Sequence, residues 1–155
     1  MVYLALKSLH IVSVVLFLGN IITGVFWKFH ADRSSELRAR AQALDGIIAS
    51  DRWFTVPGVI LIIATGVTLA VLMDYPLLRT KWIGWSLALF GISGAAFSIF
   101  VAPLQKKLLA NVRAGLAGTW NEAEYHSLSR RWEIWGMVAT LAPIGALFLM
   151  VFKPV

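Results

Sequence analysis

The sequence contains no cysteine among its 155 residues. This absence excludes disulfides, thiolate metal sites, iron–sulfur clusters and cysteine nucleophiles. Charged residues make up only 14% of the chain, and eight of them are acidic. There is no phosphate-binding loop and no nucleophile constellation, and the apolar segments contain no paired carboxylates. The sequence therefore gives no support to nucleotide-binding or hydrolase chemistry of the common types.

Hydrophobic residues, by contrast, make up 59% of the chain, whereas soluble domains usually have about 45–50%. They lie in four long runs, at 2–29, 54–73, 83–102 and 134–152. A helix needs roughly 20 residues to cross the hydrocarbon core, and these runs lack the alternation of barrel strands. The sequence predicts an all-α bundle of four transmembrane helices, at about 2–29, 52–73, 81–102 and 122–152, with loops at 30–51 and 103–131.

Basic residues are distributed unevenly among the predicted loops. The first and third loops have five each, in or beside them, whereas the middle loop has only Arg79 and Lys81. Because basic loops stay on the cytoplasmic side, we expect loops 30–51 and 103–131 to be cytoplasmic and both termini to face outward. The net charge of +6 then indicates contact with anionic membrane lipid, and we expect no nucleic-acid partner. The predicted location is the bacterial inner membrane, with several passes.

Part of the first loop has a helical pattern of its own. Apolar residues recur at helical spacing opposite charged ones, at Leu37, Ala41, Leu44 and Ile48. This pattern predicts either a short amphipathic helix on the cytoplasmic surface or an extension of a neighbouring helix. Further along, Asn121 followed by Glu124 resembles a capping box, which places the start of the fourth helix at 122.

A weak internal repeat relates the two halves of the chain. Four residues recur 79 positions later, Ser50, Arg52, Trp53 and Gly66 as Ser129, Arg131, Trp132 and Gly145. The repeat predicts two helical hairpins of equal orientation, related by an axis along the membrane normal.

His10 is the most informative candidate residue, because an ionisable group inside an apolar segment is costly. It belongs to a stripe at alternating steps of three and four residues, formed by His10, Ser13, Phe17, Asn20, Gly24 and Trp27. Such a stripe faces the inside of a helix bundle. His10 can be an axial haem ligand, a proton-transfer group or a residue that hydrogen-bonds a neighbouring helix. Asn20 suits a helix–helix hydrogen bond or a contact with substrate.

Two arginines occupy matching positions at the ends of the second and fourth helices. Arg52 and Arg131 can form an anion site for a porphyrin propionate or a phospholipid headgroup, or they can be ordinary topology signals. His30 and His126 fall in predicted loops, where solvated histidines are common. Met73, Met137 and Met150 show no clustering in the sequence, which gives little support to copper transport.

Several short segments resemble the HemJ-type protoporphyrinogen oxidases, which are small bacterial membrane proteins. They are Leu6-Lys7-Ser8-Leu9-His10-Ile11, Phe29-His30-Ala31-Asp32, Lys81-Trp82 and Val151-Phe152-Lys153-Pro154. The overall pattern is most similar to a related group of predicted integral membrane proteins of unknown function, which share the Asp51-Arg52-Trp53-Phe54 start of the second helix.

The resemblance implies a role for His10. In the HemJ-type family a histidine of the first helix and a lysine of the third form the functional pair, and haem b is implicated. His10 matches the first position, whereas Gly84 and Ser86 stand near the positions of the family's third-helix histidine and lysine. The resemblance therefore supports the fold and topology more than the oxidase reaction.

The leading hypothesis is a haem- or porphyrin-associated membrane protein. His10 would bind the iron of haem b, and Asn20, Arg52 and Arg131 would complete the cofactor site. The alternatives are a non-enzymatic accessory subunit or scaffold of a membrane complex, and a small transporter built from the repeat. Uneven polar faces and Gly-rich contacts also predict a homo-oligomer or a membrane-protein partner.

Overall fold

The computed structural model of the protein describes residues 1–77 and 79–154. These residues form four long helices, α1 (Val2–Asp32), α2 (Leu37–Leu72), α3 (Lys81–Leu116) and α4 (Glu122–Phe152). Each helix is long and apolar enough to cross a membrane, and the described residues include no strand. The predicted all-α fold with four candidate membrane spans is confirmed.

The two middle helices each contain one widened turn. In α2 the α-helical parts Leu37–Ser50 and Val56–Leu72 flank a π-helical turn at Asp51–Thr55. In α3 the parts Lys81–Ala96 and Ala102–Leu116 flank a π-helical turn at Phe97–Val101. Because proline has no N–H to donate to the carbonyl four residues back, Pro57 and Pro103 interrupt the regular bonding at these turns.

The predicted loops are much shorter in the structure, which corrects the helix bounds. Segments 30–51 and 103–131 were expected as loops, but α2 begins at Leu37 and α3 continues to Leu116. The segment 37–48 is therefore an extension of α2, the second of the two predicted alternatives. A 36-residue helix is about 54 Å long and extends well beyond a hydrocarbon core of about 30 Å.

The start of α4 agrees with its predicted cap. The Oδ1 of Asn121 accepts a hydrogen bond from the backbone N–H of Glu124 at 3.1 Å. This bond satisfies one of the free N–H groups of the first turn, so α4 begins at Glu122 as predicted.

The helices pack as two hairpins, α1 against α2 and α3 against α4. The repeat is visible in equivalent glycines. A Cβ on Gly66 would lie 3.1 Å from His10 Cε1, and a Cβ on Gly145 would lie 3.3 Å from Leu89 Cδ1. Both contacts are related by the same shift of 79 positions, so each glycine permits close approach within its own hairpin.

The two hairpins join at one end of the molecule and diverge at the other. At one end, which we call the packed half, the first part of α2 and the second part of α3 pack together with the adjoining ends of α1 and α4. The packed half contains most of the buried core, with Leu44, Leu104, Leu108, Val112, Tyr125 and Trp132. The other end, which we call the open half, contains Met1 and Pro154. There, no Cα atom of 56–72 lies within 8 Å of a Cα atom of 81–96.

Candidate functional site

The open half contains a cleft of about 800 Å³ between the two hairpins, which we call the terminal cleft. Its walls are mainly apolar, with a few polar groups from α1, α3 and α4. The residues that line it include Tyr3, Lys7, His10, Met73, Trp82, Ser86, Met150 and Lys153. Its volume lies within the range of about 300–1,000 Å³ that is typical of small-molecule sites.

His10 lines the terminal cleft and is held by the neighbouring helix. Its Nδ1 lies 2.8 Å from the Thr65 hydroxyl. That hydroxyl donates its own hydrogen to the Leu61 carbonyl at 2.5 Å, so its oxygen is free to accept a bond from the imidazole. We therefore assign the proton to Nδ1 of His10, which leaves a lone pair on Nε2. Among the side chains of the described residues, Thr65 is the one hydrogen-bond partner found for the imidazole, and the Ile62 backbone lies within hydrogen-bond reach of the ring as well.

The His10–Thr65 pair belongs to the first hairpin alone. The residues 79 positions later are Leu89 and Ile144, which cannot form a hydrogen bond through their side chains. The two hairpins are otherwise related by the repeat. The first hairpin therefore has a polar pair at a place where the second has only apolar packing. The sequence stripe of α1 predicted that His10 faces inward, and the structure agrees.

Two cations and two methionines share the cleft with His10. Lys7 and Lys153 lie near the ends of their helices, with Nζ 5.9 Å from the Tyr3 ring centroid and 5.4 Å from the Trp82 ring centroid. Met73 and Met150 line the same cleft, although their spacing along the chain does not predict a shared site.

Ser86 stands near the place where the HemJ-type pattern has a lysine. Its hydroxyl donates to the Trp82 carbonyl at 2.7 Å and approaches the Ala146 carbonyl at 3.3 Å. This serine joins α3 to α4 by polar contacts of its hydroxyl, and it supplies no group that could replace a lysine in acid–base chemistry.

A second cavity, the central cavity, has a volume of about 470 Å³ and lies towards the packed half. A polar network at this cavity joins three helices. Asp51 Oδ1 accepts from Asn20 Nδ2 at 3.2 Å and from the Thr55 hydroxyl at 2.8 Å, and its Oδ2 accepts from Gln105 Nε2 at 3.0 Å. The helix–helix hydrogen bond expected for Asn20 is present, with Asp51 and Thr55 of α2 as its acceptors.

The two cavities meet at a pair of aromatic rings. Phe17 and Phe90 line both cavities, and their ring centroids are 5.5 Å apart. Phe17 is buried and packs on Gly58, where an added Cβ would lie 3.2 Å from the Phe17 Cβ. The rings separate His10 on one side from the Asp51 network on the other.

The structure does not bring together the four predicted cofactor-binding residues. His10 lines the terminal cleft and Asn20 the central cavity, whereas Arg52 and Arg131 are exposed and line neither. Arg52 precedes Thr65 by 13 positions, or about 20 Å along a helix, so it cannot share a cofactor with His10 in the way the sequence suggested. His30 and His126 are exposed as well.

A buried charge cluster in the packed half was missed by the sequence analysis. Lys28, counted there as a basic residue of the first loop, is only 1% exposed. Its ammonium group pairs with Asp32 and donates to the Ser129 hydroxyl at 2.9 Å. It also lies 5.2 Å from the Tyr125 ring centroid and 5.5 Å from that of Trp132. The cluster ties the end of α1 to the start of α4.

Comparison with known proteins identifies the family but no activity. No curated protein and no solved structure matches the chain significantly, and no comparison links it to the HemJ-type oxidases. Residues 4–154 match the family described as predicted integral membrane protein (DUF2269), in agreement with the expected similarity to integral membrane proteins of unknown function. With this match over nearly its whole length, and with four helices that can span a membrane, the chain belongs to the DUF2269 family of multi-pass integral membrane proteins.

Proposed function

We propose that the terminal cleft binds haem b or a related porphyrin, with Nε2 of His10 as the iron ligand. The observation that carries this proposal is the orientation of the imidazole. Nδ1–H donates a hydrogen bond to the Thr65 oxygen, and Nε2 keeps its lone pair at the wall of a cleft of about 800 Å³. Neutral imidazole with its other nitrogen hydrogen-bonded is the usual form of a metal-binding histidine.

The rest of the cleft suits the periphery of a porphyrin. Its apolar walls match the macrocycle, and Lys7 and Lys153 provide positive charge for two carboxylates near the ends of the helices. Met73 and Met150 would offer thioether sulfur as a further ligand for iron. When bound, haem supplies one-electron transfer or the binding of a diatomic gas. We do not extend the proposal to porphyrinogen oxidation, because Ser86 already donates its hydroxyl proton to a helix carbonyl.

Titration of the detergent-purified protein with haemin tests the proposal. We expect a shifted Soret band in the wild type, and its loss with at least about tenfold weaker binding in His10→Ala, since an iron ligand is removed. His126→Ala is the matched control, because His126 is exposed and lies in the other half of the molecule. Its spectrum should equal that of the wild type.

A metal-free porphyrin separates the two parts of the site. Protoporphyrin IX has the carboxylates but no iron, so its binding should survive His10→Ala and weaken in the double variant Lys7→Gln/Lys153→Gln. Identical haemin spectra for the wild type and His10→Ala, or no Soret shift in either, would overturn the proposal. In that case His10 would remain a residue that joins α1 to α2.

A further inference from the structure

The central cavity contains a buried carboxylate whose charge has no counter-ion. Asp51 is 9% exposed and sits in the widened turn of α2. Its three hydrogen-bond donors, Asn20, Thr55 and Gln105, are all neutral. The ion pairs found in the described chain are Lys28–Asp32, Arg113–Asp45 and His126–Glu122, and none of them includes Asp51. Charges inside a membrane protein are normally paired, so an ionised Asp51 would be stabilised by a cation from outside the chain.

The amides that hold Asp51 contribute further polar groups to the cavity. Asn20 and Gln105 both turn their NH2 groups to the carboxylate. Both residues line the cavity, and their side chains take part in the hydrogen bonds of the described residues as donors. The cavity lining thus includes one carboxylate and two primary amides, whose oxygens favour positive charge and N–H donors, together with Trp132, whose buried Nε1–H has no acceptor among the described residues.

The size and the aromatic walls of the cavity favour an organic cation over a bare metal ion. A volume of about 470 Å³ is far larger than a bare metal ion needs, and the described residues contain no group of three or more His, Cys, Asp or Glu side chains suited to a metal. The walls include the rings of Phe17, Phe90, Phe97 and Trp132. Aromatic faces attract organic cations such as quaternary ammonium groups.

We propose that the central cavity binds a small organic cation, an alkyl- or arylammonium ion, with Asp51 as its counter-ion and the aromatic rings as its walls. The ligand has a route to this site. Residues of 56–63 and 87–98 line the cavity, and no Cα atoms of the two helix segments that contain them lie within 8 Å of each other in the described chain. A cation with an apolar body can therefore enter between α2 and α3 from the lipid.

The first test needs no variant. Binding of benzyltrimethylammonium to the full-length protein in detergent micelles is measured by isothermal titration calorimetry, beside its uncharged carbon isostere neopentylbenzene. The two probes have the same shape and differ in charge. We expect the cation to bind at least about tenfold more tightly, because only the cation gains from the carboxylate and the ring faces. Equal binding of the two probes, or no binding of either, would overturn the proposal.

Two matched variants then assign the charge to one residue. Asp51→Asn keeps the shape but removes the charge, and we expect it to weaken cation binding at least about tenfold while neopentylbenzene binding stays as it was. Asp45→Asn removes the same charge from an exposed position on the same helix, where Asp45 pairs with Arg113, and it should bind the cation like the wild type. Wild-type affinity in a folded Asp51→Asn protein would contradict the proposal. If that variant does not fold, the comparison of the two probes on the wild type decides the matter.

Discussion

The packed half and the open half of this protein are made from the same four helices but differ in how those helices meet. In the packed half, Leu108 and Val112 are completely buried and the Lys28 cluster joins the first helix to the last. In the open half, α1 exposes most of its apolar residues, and the hairpins enclose a cleft between them. The difference shows that one half can hold the hairpins together while the other half keeps room for a ligand.

The largest predicted loss of stability is at the Lys28 cluster, which consists of Lys28, Asp32 and Ser129. Asp32→Ala should lower the free energy of unfolding by about 4 kcal/mol, because it leaves a buried ammonium group without its partner. Asp45→Ala breaks the exposed pair with Arg113 and should cost less than about 1 kcal/mol. Unfolding in mixed dodecylmaltoside and dodecyl sulfate micelles measures both. Equal costs would mean that the cluster does not stabilise the packed half.

The second-largest predicted loss of stability comes from shortening a buried side chain in the packed half. Leu108→Ala should cost about 3 kcal/mol, since Leu108 is 0% exposed and its removal leaves a cavity. Leu16→Ala, at a lipid-facing position of α1 that is 49% exposed, should change the free energy of unfolding by less than about 0.5 kcal/mol. The same unfolding assay applies. A large cost for Leu16→Ala would show that another surface covers α1 in the measured state.

The two glycines of the repeat sharpen the comparison within the open half. Gly66→Ala and Gly145→Ala each add a methyl group close to a neighbouring side chain, His10 in the first hairpin and Leu89 in the second. Each should cost about 1 kcal/mol of stability. Only Gly66→Ala should alter the haemin spectrum, because only it moves the imidazole. Equal spectral changes in both variants would place the porphyrin elsewhere.

The smallest predicted effect is a difference between the two halves in how much the distance between α1 and α4 varies. The chain has no cysteine, so introduced cysteines are unique sites for spin labels. A label pair at Leu4 and Val151 reports on α1 and α4 in the open half, and a pair at Phe26 and Ile134 reports on the same helices in the packed half. All four positions are exposed. We expect a broader distance distribution for the first pair, because fewer contacts join the hairpins there. Equal widths would remove the distinction between the halves.

Hydropathy was sufficient to predict the four spans, because runs such as 54–73 and 134–152 have no other reasonable interpretation. It could not predict that α2 starts at Leu37. Charged residues such as Arg38 and Asp45 end a hydropathy run, yet they do not end a helix whose other face packs on α3. The widened turns at Asp51–Thr55 and Phe97–Val101 could not be predicted either, because a proline in a hydrophobic run does not reveal which form the interrupted helix turn takes.

The residues of α1 that line the two cavities could be predicted from the sequence, whereas their partners on the neighbouring helix could not. The stripe of α1 identified His10 and Asn20 as inward-facing, since residues on one helix share a face at fixed spacing. Their partners Thr65 and Asp51 belong to another helix, and no spacing within one helix gives the register between two helices. Arg52 and Arg131 occupy equivalent positions of the internal repeat, but both are exposed. A residue that recurs in the repeat can therefore lie on the surface and outside any ligand site.

The burial of Lys28 has a consequence for the order in which the chain is made. Its hydroxyl partner, Ser129, follows it by 101 positions, and the rings of Tyr125 and Trp132 belong to the same late segment. While α2 and α3 are being made, Asp32 is the one member of this cluster already present beside Lys28, and we expect the lysine to act then as a positive charge that biases the orientation of α1. Once α4 is complete, Ser129, Tyr125 and Trp132 can enclose the same side chain, so its burial has to follow the synthesis of the last helix.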